Sequence, residues 1–187
     1  YPLARSMNRK LEFYVGPTNS GKTYNAMKKL KEANSGLYLA PLRLLALEGY
    51  EDLKVSNIDA SLITGEEQIL NEDAAHICST IEMLDFDLEV DVAIIDEVQM
   101  LEDIDRGWAW VNAIIGVPAK KVIMTGSVNA LEAVKKIVQY LDEELEVVRH
   151  KRKNPLLVLQ KWTPLEKLEN GTALIAFSRA EVLKLKQ

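Results

Sequence analysis

Cysteine occurs once in the 187 residues, at Cys78, and histidine only twice. One thiol cannot close an internal disulfide, and with two imidazoles there are too few soft ligands for a structural zinc site, so a reducing compartment is expected. Long apolar runs are missing too: no window approaches the roughly 18 to 20 apolar residues that a membrane span needs. The first residues, YPLARSMNRK, lack the apolar centre of a signal peptide. No membrane partner is expected. Positive charge is also in short supply, with 23 Lys and Arg against 28 Asp and Glu, a formal charge of −5 and a pI near 5.2. That excludes a protein that holds nucleic acid by bulk electrostatics alone.

What is present is an ordinary globular composition, 48% hydrophobic and 27% charged, which makes disorder, collagen and coiled coil poor readings. The length suits one α/β domain with a real core and is short for two complete ones. The chain starts at Tyr1 without methionine, which suggests excision from something longer. Short runs rich in Val, Ile and Leu alternate with helix-length segments, the pattern of a mostly parallel sheet covered by helices. Strands are expected at 11–15, 36–40, 61–64, 75–79, 91–95, 121–125 and 145–149. Apolar residues on both faces mark most of them as buried parallel strands. Between them the clearest helix is 128–141, where Leu131, Val134, Val138 and Leu141 line one face and Glu132, Lys135 and Lys136 the other. Trp108 and Trp110 could form a base-stacking platform, but Val111, Ile114 and Ile115 beside them favour helix core. The basic cluster His150 to Lys153, followed by Asn154 and Pro155, reads as a linker or an edge-strand entry. Beyond it, apolar runs at 156–159 and 173–177 read as the opening strands of another α/β unit with too few residues to close a sheet.

Residues 16–23 read GPTNSGKT, a complete G-x-x-x-x-G-K-[ST] loop that follows an apolar strand and opens a helix. Each position has a physical reason. Gly16 and Gly21 let the loop through Pro17 turn so that the backbone N–H groups of Thr18, Asn19, Ser20 and their neighbours face phosphate oxygens, and the helix N-terminus adds partial positive charge. Lys22 would reach the β and γ phosphates, and Thr23 would place its hydroxyl on Mg²⁺. The bland alternative is a glycine turn before a lysine, and chance supplies this pattern in roughly one chain in a hundred of this size.

The second half of the site is VDVAIIDEVQ, a buried strand ending in Asp96 and Glu97. A carboxylate at the end of a neighbouring parallel strand can hold the nucleotide's Mg²⁺ beside the phosphate loop, so Asp96 is the metal-side candidate. Glu97 is the candidate to polarise an attacking water. An acidic strand end facing solvent is the alternative. Together, loop and strand specify nucleoside triphosphate chemistry with ATP and Mg²⁺, without specifying its use.

The chain resembles the superfamily 2 RNA helicases of the Suv-three type, the ATP-dependent helicases of mitochondrial RNA degradation and their bacterial relatives. The carrying segments are YPLARSMNRK at 1–10, GPTNSGKTY at 16–24, LYLAPLRLLALE at 37–48, TGEE at 64–67, STIEM at 79–83, DEVQM at 96–100 and AFSRAEV at 176–182. Their order and spacing make the set specific. The resemblance implies a three-layer α/β/α RecA-like P-loop NTPase domain over 1–150, with 151–187 as linker and the start of a second RecA-like domain. It implies that Pro41 and Arg43, then Thr64 and Gly65, then Thr80, lie in segments that touch the nucleic-acid backbone, with Ser178 and Arg179 in a later one. Loops at strand ends can do this through N–H and hydroxyl donors without net positive charge. Taken singly, Arg43 could be a solvated helix start, TGEE a turn with a capping box, and Thr80 an ordinary N-cap. By resemblance, Gln99 and the Thr125-Gly126-Ser127 segment couple nucleotide state to domain movement, although the commoner form of the latter is Ser-Ala-Thr. Implied partners are RNA, with DNA as the alternative, the second helicase domain and an exoribonuclease. The implied compartment is the bacterial cytoplasm, with the mitochondrial matrix as the alternative. No arginine finger can be assigned within 187 residues, so slow hydrolysis by an N-terminal fragment is expected.

Two other classes fit part of the pattern. A thymidine kinase of the RecA-like type would use Gly16, Pro17, Ser20 to Lys22, Asp96, Glu97 and Gln99, with Glu97 deprotonating a nucleoside hydroxyl. One cysteine cannot make the four-cysteine zinc site that many such kinases carry, and APLR, TGEE and FSRAE have no obvious kinase role. A non-catalytic ATP-binding switch is the third reading. Cys78 and His76 receive the bland assignment of apolar-strand residues, and Lys28, Lys29 and Lys31 that of a solvated helix face.

Overall fold

The computed structural model describes residues 1–152, 154, 157–158 and 160–185. They form two compact units, Tyr1–Lys153 and Asn154–Gln187. In the first, the elements run α1 (Pro2–Ser6), β1 (Lys10–Val15), α2 (Lys22–Lys31), β2 (Gly36–Ala40), α3 (Arg43–Val55), β3 (Ala60–Ile63), β4 (Gln68–Ile69), β5 (His76–Thr80), β6 (Val90–Ile95), α4 (Gly107–Gly116), β7 (Ala119–Gly126), α5 (Leu131–Tyr140) and β8 (Leu145–Arg149). The strands make one sheet in the order β4-β3-β5-β2-β6-β7-β1-β8, parallel except for the antiparallel β3–β4 pair.

Strand side chains alternate between the two faces, and both faces are covered. Phe13, Val15, Leu37, Leu39, Ala93, Ile95, Val122 and Met124 pack with α4 and α5 through Trp110, Ala113, Ile114, Leu131, Val134 and Val138. The residues between them, Tyr14, Tyr38, Ala40, Val92, Ile94 and Ile123, pack with α2 and α3 through Ala26, Met27, Leu30, Ala46, Tyr50 and Leu53. This is the three-layer α/β/α arrangement. The seven expected strands are present, with ends shifted by at most two residues. Only the two-residue β4 is additional, and its exposed Gln68 and Ile69 carry no apolar run to announce it.

Three expectations need correction. The single helix over 128–141 is a 3-10 turn at Val128–Ala130 followed by α5, with Leu141 as its C-cap. Of the two tryptophans only Trp110 is core: positions two apart on a helix point about 200° apart, so Trp108 faces outward and is 56% exposed. In the second unit a 3-10 turn (Leu165–Lys167) and α6 (Arg179–Leu185) form, but residues 173–177 form no strand. The expected strand at 156–159 falls partly outside the described residues, and Leu157 and Val158, which are described, lie in no strand. A strand needs a neighbour to pair its N–H and C=O groups, and no sheet forms among the described residues of this unit.

Arg9, in the loop before β1, fastens the base of the domain. Its guanidinium donates to the carbonyls of Ile114 (3.0 Å) and Val117 (3.1 Å) at the end of α4, and to both carboxylate oxygens of Glu143. The cation thus meets the negative end of a helix and satisfies carbonyls the helix leaves unpaired. Its side chain is fully buried. Arg9→Met leaves those acceptors without a partner and is expected to cost about 3–5 kcal/mol. Thermal unfolding should show this as a Tm lowered by roughly 6–20 °C.

Candidate active site

The strand order sets β1, β7 and β6 side by side, so the segments that leave their carboxyl ends meet at one edge of the sheet, where open α/β folds bind ligands. After β1 comes the loop 16–21. Asn19 (φ 58°) and Gly21 (φ 80°) take left-handed backbone conformations that turn the chain back on itself, and Gly21 is the N-cap of α2. The loop therefore delivers its N–H groups and a helix N-terminus to one point. Lys22 is buried, and its ammonium donates to the carbonyl of Pro17 at 2.8 Å, folded back over the loop. The Ser20 hydroxyl oxygen is buried and has no hydrogen-bond partner among the described residues. A cavity of about 260 Å³ lies here, lined by residues 18–24 and Glu97. An orphaned hydroxyl, a helix N-terminus and a lysine beside a small cavity fit a phosphate group.

Asp96, directly after β6, is only 3% exposed and sits in a dense set of hydrogen bonds. Its Oδ1 accepts from Thr23 Oγ1 at 2.9 Å and from the hydroxyl of Thr125, while Oδ2 accepts from the Tyr38 phenol at 2.8 Å. Its backbone is held as well, by N–H donation to Leu39 O (3.0 Å) and by Trp110 Nε1 donating to its carbonyl (2.8 Å). Burial, and then the Asp96 charge, push the Tyr38 phenol well above its ordinary range, so it remains a donor. A carboxylate beside a hydroxyl oxygen is a donor set for a hard cation that keeps several waters and phosphate oxygens as its other ligands. No group of three or more His, Cys, Asp or Glu is placed to hold a metal ion among the described residues, so a metal caged wholly by such side chains does not suit the site.

Glu97 has a left-handed backbone (φ 54°, ψ 52°), uncommon for a non-glycine residue and typically costing about 1–3 kcal/mol. The surroundings hold it there. Its N–H donates to Thr125 Oγ1 (3.2 Å), its carboxylate accepts from Gln99 Nε2, and Gln99 Oε1 accepts from the Ser127 N–H (3.1 Å). Gln99 and Thr125 are thus in direct contact with the Asp96–Glu97 pair, and Ser127 is joined to it through Gln99.

Pro41, Arg43, Thr64, Gly65 and Thr80 lie farther along the same sheet edge, after β2, β3 and β5. Pro41 follows β2 and its carbonyl accepts from Arg106 (2.6 Å), which also reaches Glu82 and lies over the Trp110 ring. Arg43, the first residue of α3, pairs with Glu66 (2.5 Å) and Glu67 (3.1 Å), so the acids of TGEE occupy its guanidinium. Thr64 is buried, with its hydroxyl accepting from Glu67 N–H and donating to Glu67 O, the turn-forming alternative. Gly65 is open, and Thr80 is the N-cap of a 3-10 turn without a side-chain capping bond. In the second unit, Ser178 Oγ accepts from Glu181 N–H (3.2 Å) and the exposed Arg179 opens α6.

His76 and Cys78 are buried in β5, as the bland assignment has it, with His76 Nε2 at 3.0 Å from the carbonyl of Leu30. Burial pushes the Cys78 thiol up to about 12. The thiol is therefore neutral and inaccessible at neutral pH, and a colourimetric thiol reagent should label it only after unfolding. Sequence reasoning missed three contacts. Tyr38 is the one hydroxyl-bearing residue of β2, Arg106 carries no motif, and Arg152 of the basic cluster donates to Thr18 O in the loop (2.9 Å). Only the phenol within an otherwise apolar strand was a usable signal.

With this geometry established, comparison with known proteins decides the family. Residues 1–150 match the family model described as the DEXQ-box helicase domain of Suv3. The chain belongs to that family. It is 41% identical over 187 residues to the mitochondrial ATP-dependent RNA helicase SUV3 homolog of Caenorhabditis elegans, covering 97% of this chain and 26% of that protein. It is 40% identical to mitochondrial SUPV3L1 of Homo sapiens (97% and 24%) and 40% identical to mitochondrial SUV3 of Saccharomyces cerevisiae (100% and 26%). The chain thus spans about a quarter of the length of these relatives. Among solved structures, the Hef helicase domain of Pyrococcus furiosus superposes with a TM-score of 0.51 at 20% identity, covering 82% of this chain and 37% of that one. Dbp5 of Saccharomyces cerevisiae gives 0.53 at 16%, covering 75% and 44%. Both show the fold alone, a RecA-like helicase domain. The nucleoside-kinase alternative is not supported by these matches, and neither is the bacterial cytoplasm, since these relatives are named as mitochondrial.

Proposed function

We propose that this Suv3-family domain binds and hydrolyses ATP with Mg²⁺ and couples the cycle to RNA. The observation that carries the reading is the Thr23 hydroxyl 2.9 Å from Asp96 Oδ1, which ties the phosphate loop to the acidic strand end. Residues 16–23 hold the phosphates. Lys22 neutralises the β and γ oxygens, and Thr23 and Asp96 hold the metal, which supplies charge neutralisation on the transferred phosphoryl group. Glu97 orients the attacking water and accepts its proton. Gln99, Thr125 and Ser127 relay changes at the γ position: Thr125 and Gln99 hydrogen-bond the two acids, and Ser127 is joined to them through Gln99. Residues 1–150 act as the first motor domain, and 151–187 begin a second.

RNA lies along the strand-end loops bearing Pro41, Arg43, Thr64, Gly65 and Thr80, and Ser178 and Arg179 are nucleic-acid contacts belonging to the second unit. DNA is the weaker alternative, because the relatives quoted are named RNA helicases. Backbone N–H groups and Arg43, once released from Glu66 and Glu67, are the donors to phosphate. By the same similarity the compartment is mitochondrial; an exoribonuclease partner rests on the family resemblance alone. Fluorescence anisotropy of labelled single-stranded RNA tests the RNA half. Binding should weaken as salt rises and change between ATP·Mg²⁺ and ADP·Mg²⁺. RNA binding that is absent in every nucleotide state would overturn it.

A further inference from the structure

Asp96 is a short side chain with two equivalent oxygens, and a metal or water beside Thr23 meets only the one that faces it. Two of the three hydroxyls on this carboxylate, from Thr23 and Thr125, converge on Oδ1. The third, from Tyr38, is the side-chain donor on Oδ2, at 2.8 Å. Without it the carboxylate could turn about its Cβ–Cγ bond and present either oxygen at either angle. With it, one oxygen is fixed in the interior and the other is aimed at the phosphate loop.

The ring that carries this hydroxyl is itself held. Tyr38 is 3% exposed on β2, and its ring lies against Gly49 of α3 so closely that a Cβ at position 49 would stand 2.5 Å from ring carbon Cδ1. Glycine is thus the residue that lets α3 close over the phenol. Tyr38 and Gly49 also form part of the wall of a groove of about 510 Å³ between α2 and α3 that reaches Thr23, Asp96 and Glu97. The phenol has no substrate-facing role in the proposed chemistry, and an apolar phenylalanine would fill the same core space.

We infer that Tyr38 is a positioning residue: by clamping Oδ2 of Asp96 from inside the core it presents Oδ1 beside Thr23 and so sets how tightly the site takes a divalent cation with nucleotide. The inference rests on the proposed ATP·Mg²⁺ reading. Groups that orient a metal-binding side chain typically change metal affinity about 10- to 100-fold when removed.

The test uses Mn²⁺ as a paramagnetic stand-in. Free Mn²⁺ is followed by electron paramagnetic resonance as the chain is titrated with ADP present, and ADP binding in excess chelator is measured separately with a fluorescent analogue. In Tyr38→Phe the Mn²⁺ concentration for half-saturation should rise about 10- to 100-fold, while metal-free ADP affinity stays within about twofold. A general packing defect would move both. Gly49→Ala keeps the hydroxyl but displaces the ring, so it should shift the Mn²⁺ midpoint in the same direction, and the double variant should shift it no further than the larger single change. An unaltered Mn²⁺ midpoint in Tyr38→Phe would overturn the positioning role alone. Failure of the unmodified chain to take up Mn²⁺ with ADP would overturn the nucleotide–metal reading along with it.

Discussion

Lys22→Ala is expected to weaken ATP binding by about 30- to 5,000-fold, the consequence of truncating one member of a buried charge pair. Lys22 is 8% exposed, and its ammonium rests on the Pro17 carbonyl, so it already lies within the loop that the phosphates would enter. Exchanging a neutral carbonyl for anionic phosphate oxygens strengthens its hydrogen bond at little cost in side-chain ordering. Removing the amine leaves the loop's N–H groups and the helix terminus to face the phosphate charge alone. Fluorescence of a labelled ATP analogue checks the prediction. Affinity within about threefold of the unmodified chain would contradict it, because the loop would then hold phosphate without its lysine.

Glu97→Gln should separate binding from chemistry. The substitution keeps the size of the side chain and removes its basicity, so the hydrolytic step should fall about 10²- to 10⁴-fold, the range for a positioned general base. ATP affinity should stay within about threefold, since the phosphate loop and Asp96 are untouched. The left-handed backbone at Glu97, fixed by Thr125 below and Gln99 beside it, explains why the neighbouring acid cannot substitute. Asp96 is committed to Thr23, Thr125 and Tyr38 through both oxygens. Single-turnover phosphate release in the two proteins, beside their ATP affinities, reads the split directly.

These roles differ in how visible they were in the sequence. Gly16 to Thr23 and Asp96–Glu97 were legible because each is a local pattern whose chemistry requires consecutive residues at the end of a strand. The strands themselves were legible because a sheet covered on both faces needs apolar residues at successive positions, as Val92 to Ile95 shows. The phenol of Tyr38 stood out in an apolar strand, but its role was not legible: its partner is 58 residues away, and the two meet because β2 and β6 are neighbours in the sheet, a fact of topology. Arg43 illustrates the opposite limit. The sequence offered both a solvated helix start and a phosphate contact, and the structure adds a third circumstance, an acidic turn on which the guanidinium rests. Trp108 and Trp110 divide by helix phase, which composition alone does not convey.

The net charge of −5 fits this picture. Described cations such as Arg9, Lys31, Arg43, Arg106 and Lys121 are each paired with a carboxylate, so the surface has no broad basic stripe from them. The proposed nucleic-acid contacts accordingly lie on loops at the sheet edge, where Arg43 is held by exposed ion pairs to Glu66 and Glu67.

The central claim is that the γ-phosphoryl group of ATP passes to water at Glu97, under the influence of RNA. The most direct measurement incubates the chain with γ-labelled ATP, Mg²⁺, thymidine and single-stranded RNA under single-turnover conditions and separates the labelled products. Label is expected in inorganic phosphate only, formed faster with RNA and lost in Glu97→Gln. Label in a nucleoside monophosphate, or phosphate release indifferent to both RNA and Glu97, would contradict it.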